Sequence, residues 1–529
     1  MSVPTVNMTR RALLGLLGVL TLTACGMSEY DHVVHPGRDD GTGFWNVNAD
    51  WFMYAPSFAF CRVDGAARYR FSVIDRSGVE QVFEASRPTE PLSSVWGRVP
   101  TGDVRVRCEG VDALGRVVGF AGERKFWKAE GFREGAYPPA VKSYRATAKA
   151  IYDYVFSKRG TKILLETGKV DLTDAIASYA SKYCASLINA MVDYAALEPT
   201  QKETALKIAV YTADYLTSVS EPSEAPLADF PATYAGPGEC NTGTANAGQI
   251  MLCYPALAGL AYHRLWQATR DARFLDRAER IAATYLRLQG KDGTWFLKMR
   301  TCDGSSVSPN RLVPVQSAIP LLETLFETTG KTEYRAAADR AFAYVDRNLL
   351  LDWNWEGQFE DVKPSRPYEN LTKHDACSTA IYLGRRFAGD DVRLGQMREL
   401  LRFAEDQFVC WVPPHDGAEF KSRTTWQASK TYAEWVTPCA LEQYGCYWPI
   451  DASAAKLIRT YLALYKAEGR SVDLAKAKAL GDSMTRMQKP DGSLPTWWHH
   501  HDGRGNNWLN CMIASANALT MLANASGEP

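Results

Sequence analysis

The chain has 529 residues, 46% of them hydrophobic, and its 60 basic side chains balance 60 acidic ones. A chain of this length can bury large cores and is expected to hold two or three domains. Zero net charge argues against nucleic acid as a partner, which needs a concentrated basic surface, but leaves room for a local basic cleft suited to an acidic glycan.

The N-terminus reads as an export address, residues 1–25. Arg10 and Arg11 precede an apolar run, Ala12 to Ala24, that is shorter than the roughly 20 residues a stable membrane helix needs. Met8 is an alternative start that would place the arginines at the extreme end. The run closes on Leu22, Thr23, Ala24 and Cys25, which resembles the lipobox of bacterial lipoproteins. That resemblance implies a lipidated Cys25 as first mature residue, anchored to a lipid bilayer. Gly26 stands where the inner-membrane retention signal of Gram-negative lipoproteins would place Asp, so the outer membrane is the implied address. No later apolar run reaches spanning length. Residues 26–43, poor in apolar periodicity, are expected to form a tether.

From 44 to 128 the pattern is β. Tyr69, Phe71 and Val73 alternate with polar residues before a turn at Asp75 to Gly78, and Val104, Val106 and Cys108 alternate with Arg105 and Arg107. A small antiparallel β-sandwich is the expectation. The stretch from Ala66 to Lys128 resembles the fibronectin-type modules that precede catalytic domains in secreted bacterial glycan enzymes, which implies a spacer. Residues 129–141, with Pro138 and Pro139, read as a linker.

Beyond it, across 142–529, the period becomes 3.6: Ile281, Tyr285 and Leu288 form one stripe, Phe342, Val345 and Leu349 another. Helices are predicted over 143–157, 171–196, 199–219, 247–268, 272–289, 316–329, 332–350, 376–387, 393–409, 452–468, 471–488 and 508–524. A Gln followed by Asp-Gly closes two of them, at Gln289, Asp292 and Gly293 and again at Gln488, Asp491 and Gly492. Glycine there supplies a left-handed backbone. Such repeated units imply stacked helical hairpins. This part resembles the α/α-toroid, or six-hairpin, superfamily of glycoside hydrolases and polysaccharide lyases. The resemblance implies a mainly α (α/α)6-7 toroid as the catalytic domain.

Twelve cysteines include Cys25, leaving an odd number. Their spacing fits no thiolate zinc site, and Cys61–Cys108 and Cys439–Cys446 are candidate disulfides in an oxidising compartment. The 15 Trp and 25 Tyr are the informative excess. Most must pack cores, but Trp353, Trp355, Trp497, Trp498 and Trp508 sit beside polar loop residues, where rings stack on sugars. With Gln316 and His499 they are the candidate substrate-binding set. His499, His500 and His501 are consecutive and point apart, so no metal site is expected, and no cofactor motif is present. Asn246 and Gln249, near a helix start, could face the cleft. No Gly-x-Ser-x-Gly element marks a serine esterase.

Two chemistries fit the loops. Glycoside hydrolysis needs two carboxyls, about 5 Å or 6.5–9.5 Å apart. Glu356, Glu360 and Asp361 are candidates, with Asp451 as a distant partner. A lyase instead neutralises a uronate carboxylate, removes the C5 proton and protonates the leaving oxygen. Resemblance to toroid-type alginate lyases implies Asn370 or Gln316 with His374 for neutralisation, Arg423 as carboxylate anchor and Tyr432 as proton donor. The abundance of Asn, His, Arg and Tyr on the loops favours the lyase acting on a uronic-acid polysaccharide. A surface lipoprotein that binds glycans without cleaving them is the non-enzyme alternative.

Overall fold

A computed structural model describes residues 28–38, 42–234, 246–359, 366–413, 436–444, 446–498 and 507–528, with the backbone alone at 446–448. Twelve long helices dominate: α1 (Tyr144–Ser157), α2 (Ala180–Leu197), α3 (Lys202–Ser218), α4 (Cys253–Thr269), α5 (Ala272–Leu288) and α6 (Ala318–Thr329). There follow α7 (Thr332–Tyr344), α8 (Lys373–Arg386), α9 (Asp391–Phe408), α10 (Asp451–Glu468), α11 (Ser471–Met487) and α12 (Leu509–Ala525). Each answers one predicted stretch. The stretch predicted over 171–196 begins instead at Ala180, because Asp174 caps a single separate turn, Ala175–Ser178. A nine-residue helix, Arg159–Thr167, was not foreseen.

Amphipathic spacing explains the helices. In α5, Phe274, Ala278, Ile281, Ala282 and Tyr285 are buried along one stripe, and the Asp271 side chain caps the start by accepting from the Arg273 amide. Left-handed Arg270, Gly330 and Gly469 end α4, α6 and α10, so the next helix turns straight back.

Even-numbered helices pack against the odd-numbered helix that follows, and α12 closes on α1, giving six hairpins. The even-numbered helices form the inner ring, through the contacts α2 with α4, α4 with α6, α8 with α10, α10 with α12 and α12 with α2. Between α6 and α8 side chains make the link: the Tyr382 hydroxyl donates to Glu323 Oε1 at 3.3 Å. Because the short turns all follow inner helices, the long loops all precede them. Those loops and the six inner-helix N-termini therefore share one mouth.

The repeated Gln…Asp-Gly turn has a structural role. Gln289 Nε2 donates to Ala337 O of α7 at 2.9 Å, and Gln488 Nε2 donates to Thr147 O of α1 at 2.9 Å. Gly293 and Gly492 lie at φ 92° and 89°, and a Cβ at either would overlap the backbone carbonyl of Arg340 or Ala150. The motif thus bolts one outer helix to the next.

The β region corrects the sandwich expectation. One five-stranded sheet is present, in the order β1 (Trp51–Phe52), β5 (Val117–Lys128), β4 (Gly102–Val111), β2 (Arg68–Asp75) and β3 (Glu80–Ala85). All neighbours are antiparallel except β1 with β5. Tyr69, Phe71, Val73, Val104, Val106 and Phe126 point inward, as their alternation predicts. What covers them is not a second sheet but Phe52, Phe58, Phe60 and Trp96, whose rings pack edge to face or tilted around Phe126 and Phe71.

From Ser28 onward the expected tether is packed structure. His35 stacks on Trp353 at 4.2 Å and lies 2.7 Å from Glu399 of α9. Asp406, buried on α9, accepts the Met53 and Tyr54 amides at 2.6 and 2.8 Å. Trp51 and Gln407 exchange side-chain to backbone hydrogen bonds at 3.1 Å. The sheet is therefore bonded to the ring. No described helix is long and apolar enough to cross a membrane, and Cys25 lies outside the described residues.

Candidate functional site

A cavity of about 570 Å³ lies within the ring, lined mainly by α4, α6, α8 and α10, with Asn189 of α2, Phe342 of α7 and the loop at Gln358 and Phe359. Thr372 caps α8 by accepting the His374 amide at 3.0 Å, which fixes His374 and Asp375 in the first helical turn at the cavity wall. His374 is half-buried, with the Phe359 ring edge-on at 5.2 Å. Among the described residues neither ring nitrogen has a hydrogen-bond partner. Burial, together with Lys373, Lys456 and Lys182, holds its pKa well below the ordinary imidazole value, so the ring is neutral at pH 7.

Asp375 carries the opposite perturbation. Burial pushes its carboxyl up to about 7 against the pull of Arg311, Lys456 and Gln358, and its buried Oδ2 has no hydrogen-bond partner among the described residues. A neutral imidazole and a carboxyl poised between its forms thus share one wall. That combination can remove one proton and deliver another near neutral pH.

The Gln316 side-chain amide and the Thr379 hydroxyl meet in two contacts at 3.0 and 3.2 Å, and Gln358 Oε1 accepts the Gln316 backbone N–H at 3.0 Å. Lys456 Nζ donates to Ser378 Oγ at 3.0 Å. Tyr254, at the start of α4, reaches the cavity from the opposite side. Its ring lies 5.6 Å from Lys182 Nζ, which also faces Trp508 at 5.8 Å, and Trp508 meets Trp497 edge-on at 5.9 Å. Trp497 and Trp508 are half-buried and lie beyond the cavity lining, whereas Tyr254 is buried within it.

Of the residues singled out from sequence, His374 and Gln316 line the cavity, and Trp497 and Trp508 lie beyond its lining, joined to Tyr254 through Lys182. Others are placed elsewhere. Trp353, Trp355 and Trp498 are at most 1% exposed and pack the core, so they offer no face to a sugar. They were expected on loops, and they are on loops, but folded inward. Asn370 is buried behind α8, donating to Gln443 Oε1 at 3.2 Å. Glu356, pushed up to about 7 by burial, faces Arg311 at 3.6 Å outside the cavity lining. Asp451 is fully buried beside Ser515 Oγ at 3.2 Å. Asn246 Oδ1 accepts from Lys298 at 3.1 Å, and Gln249 joins a two-stranded pairing with Arg300. Glu360, Asp361, Arg423, Tyr432 and His499 lie outside the described residues.

The Cys61–Cys108 pairing is not formed: Cys61 is exposed, Cys108 is buried, and both thiols are free. Cys439 is also free, and faces Cys410 across an antiparallel strand pair. Asp375, Tyr254, Lys456, Arg459 and Gln358 escaped the sequence reading. The signal was present as polar residues spaced three or four apart on inner helices. In a sequence they read as the solvent face, whereas in a ring that face lines the central cavity.

The fold has relatives among solved structures. Cellobiose 2-epimerase from Spirochaeta thermophila superposes with a TM-score of 0.50 at 14% identity, over 72% of this chain and 98% of that one. A family 76 glycoside hydrolase from a bovine Bacteroides thetaiotaomicron strain gives 0.47 at 11% identity, over 87% and 93%. A polysaccharide lyase gives 0.44 at 10% identity, over 90% of this chain and 64% of that one. At such identities the likeness is one of fold. No protein-family model and no curated protein matches the chain by sequence.

Proposed function

We propose that this chain is a glycan-processing enzyme that cleaves a uronic-acid-containing polysaccharide by β-elimination at the central cavity. The observation that carries this reading is the pairing of a neutral His374 with a near-neutral Asp375 on one wall. The ring of hairpins, which a cellobiose 2-epimerase shares, makes sugars the natural substrate class.

In this mechanism Gln316 and Gln358 contact the uronate carboxylate and make the C5 proton more acidic. His374, assigned from sequence to neutralisation, takes that proton as general base. The C5–H electron pair forms the new double bond, the C4–O bond breaks, and Asp375 gives its proton to the departing oxygen. Trp497 and Trp508 stack on sugar units beyond the cavity lining.

Hydrolysis is the second reading, favoured by the same Asp375, since a carboxyl with a pKa near 7 is also a fitting acid for a glycosidic oxygen. Among the described cavity-lining residues the other carboxylate is Glu323, held by Arg335 at 3.2 Å and by Tyr382. A second free carboxyl is therefore not at hand there, which favours elimination. Incubation with a panel of acidic polysaccharides separates the two. Unsaturated, ultraviolet-absorbing ends mark elimination, and reducing ends without that absorbance mark hydrolysis. Export and outer-membrane anchoring through Cys25 belong to the same proposal and rest on residues 9–25. Labelling by a radioactive fatty acid that Cys25→Ser abolishes tests them.

A further inference from the structure

Among the described residues, four cationic side chains and two carboxyls, Glu323 and Asp375, line the cavity. Arg264 is bonded to Asp193 and to Asn189 Oδ1, and Arg385 pairs with Glu327 at 2.7 Å. The other two, Lys456 and Arg459, stand one turn apart on the cavity face of α10. Among the described residues, Lys456 has only the Ser378 hydroxyl as hydrogen-bond partner, and Arg459 has neither a hydrogen bond nor an ion pair. A half-buried guanidinium without a partner costs folding energy, because its solvation is lost and not replaced. The inner helices also aim their N-termini at the same mouth, and their dipoles add positive potential there.

We propose that Lys456 and Arg459 form an oxyanion-binding subsite in the central cavity, which takes the carboxylate or sulfate ester of an acidic sugar. The planar fork of Arg459 can bind two oxygens side by side, and Lys456 supplies a point charge a turn away. An anion seated between them would also offset the lysine that holds the neighbouring His374 neutral, and so raise the basicity of that imidazole. The sugar nature of the ligand rests on the glycan reading above. The anion site itself does not.

Calorimetric titration of the full chain with D-glucuronate, glucose 6-sulfate, inorganic sulfate and glucose tests this. At least one of the three anions should bind about tenfold or more tightly than glucose, and Arg459→Met and Lys456→Met should each remove roughly tenfold of that preference. Preference for glucuronate identifies a carboxylate ligand, and preference for glucose 6-sulfate a sulfate ester. Arg280→Gln, a surface change in a residue paired with Asp276, controls for bulk charge and should leave binding within about twofold. Arg459→Met should also melt no lower than the parent, since it removes a half-buried cation that has no partner among the described residues. Equal affinity for glucose and all three anions, or a lower melting temperature with unchanged anion affinity in Arg459→Met, would overturn the proposal. Repeating the titration on His374→Ala separates the two ideas. Retained anion binding with no unsaturated product from the parent enzyme leaves the subsite standing and the elimination mechanism refuted.

Discussion

Lys476 Nζ of α11 lies 2.8 Å from Glu405 Oε2 of α9, and both side chains are at most 2% exposed. Around this buried pair the N-terminal segment closes. Tyr30, Tyr54 and Trp411 each donate to Glu405 at 3.1 Å, and Glu29 shares Lys476 at 3.1 Å. The charges anchor the segment from Ser28 to Tyr54 against the outer wall of the ring. The sheet and the ring therefore behave as one unit at this seam.

Lys476→Met leaves Glu405 buried with its countercharge gone, and should cost about 3–5 kcal/mol in urea unfolding. Adding Glu405→Gln should recover part of that loss, because the second change removes the stranded charge. A single-variant cost under about 1 kcal/mol would show that the pair is dispensable.

Asp406 makes a separate prediction. Asp406→Ala strands two buried amides, those of Met53 and Tyr54, and should destabilise by about 2–4 kcal/mol. Limited proteolysis should then cut first near residues 42–60. An unchanged digestion pattern would mean that the remaining contacts, the Trp51–Gln407 hydrogen bonds among them, hold the sheet to the ring without Asp406.

The tryptophans divide by burial. Trp353→Ala, in the core beneath His35, should cost about 3–5 kcal/mol of stability while leaving KM for the polysaccharide unchanged at a temperature where the variant is folded. Trp508→Ala should do the reverse, raising KM with little change in melting temperature. If Trp353→Ala raises KM as much as Trp508→Ala does, this division is wrong.

Asp375 sets a pH dependence. Its pKa is raised to about 7, so the protonated, acid-competent form is present below about 7 and is lost as pH rises through it. His374, with its pKa well below the ordinary value, stays neutral across the same range and adds no alkaline limb. Activity should fall above about pH 7, and Asp375→Asn should leave only a small, pH-flat residue. A rate that climbs through pH 7 would exclude Asp375 as the acid.

The ring of hairpins was legible because the helices repeat their apolar residues at 3.6 and several turns between them carry a glycine or a capping aspartate, as at Gly330 and Asp390. The Gln289 and Gln488 turns gave the repeat away for a reason visible only in space, the docking of one outer helix on the next. The sandwich misread has a physical cause. Alternation in β2 and β4 shows that one face is buried but not what buries it, and here Phe58, Phe60 and Trp96 do so. The site was half legible. Residues at helix starts such as His374 and Gln316 stood out, whereas Lys456 and Arg459 look like any solvated stripe until the helices close into a ring. Trp353 and Trp355 show the converse, since polar neighbours in sequence do not keep a loop ring out of the core.

The most direct test of the mechanism is the ultraviolet absorbance of unsaturated uronate ends released from a panel of acidic polysaccharides, read for the parent enzyme beside His374→Ala. Elimination at this site predicts that at least one polysaccharide gives rising absorbance with the parent and that the variant, folded to the same melting temperature, loses about 100-fold or more of that rate. Reducing ends without absorbance, or full absorbance from His374→Ala, would contradict it.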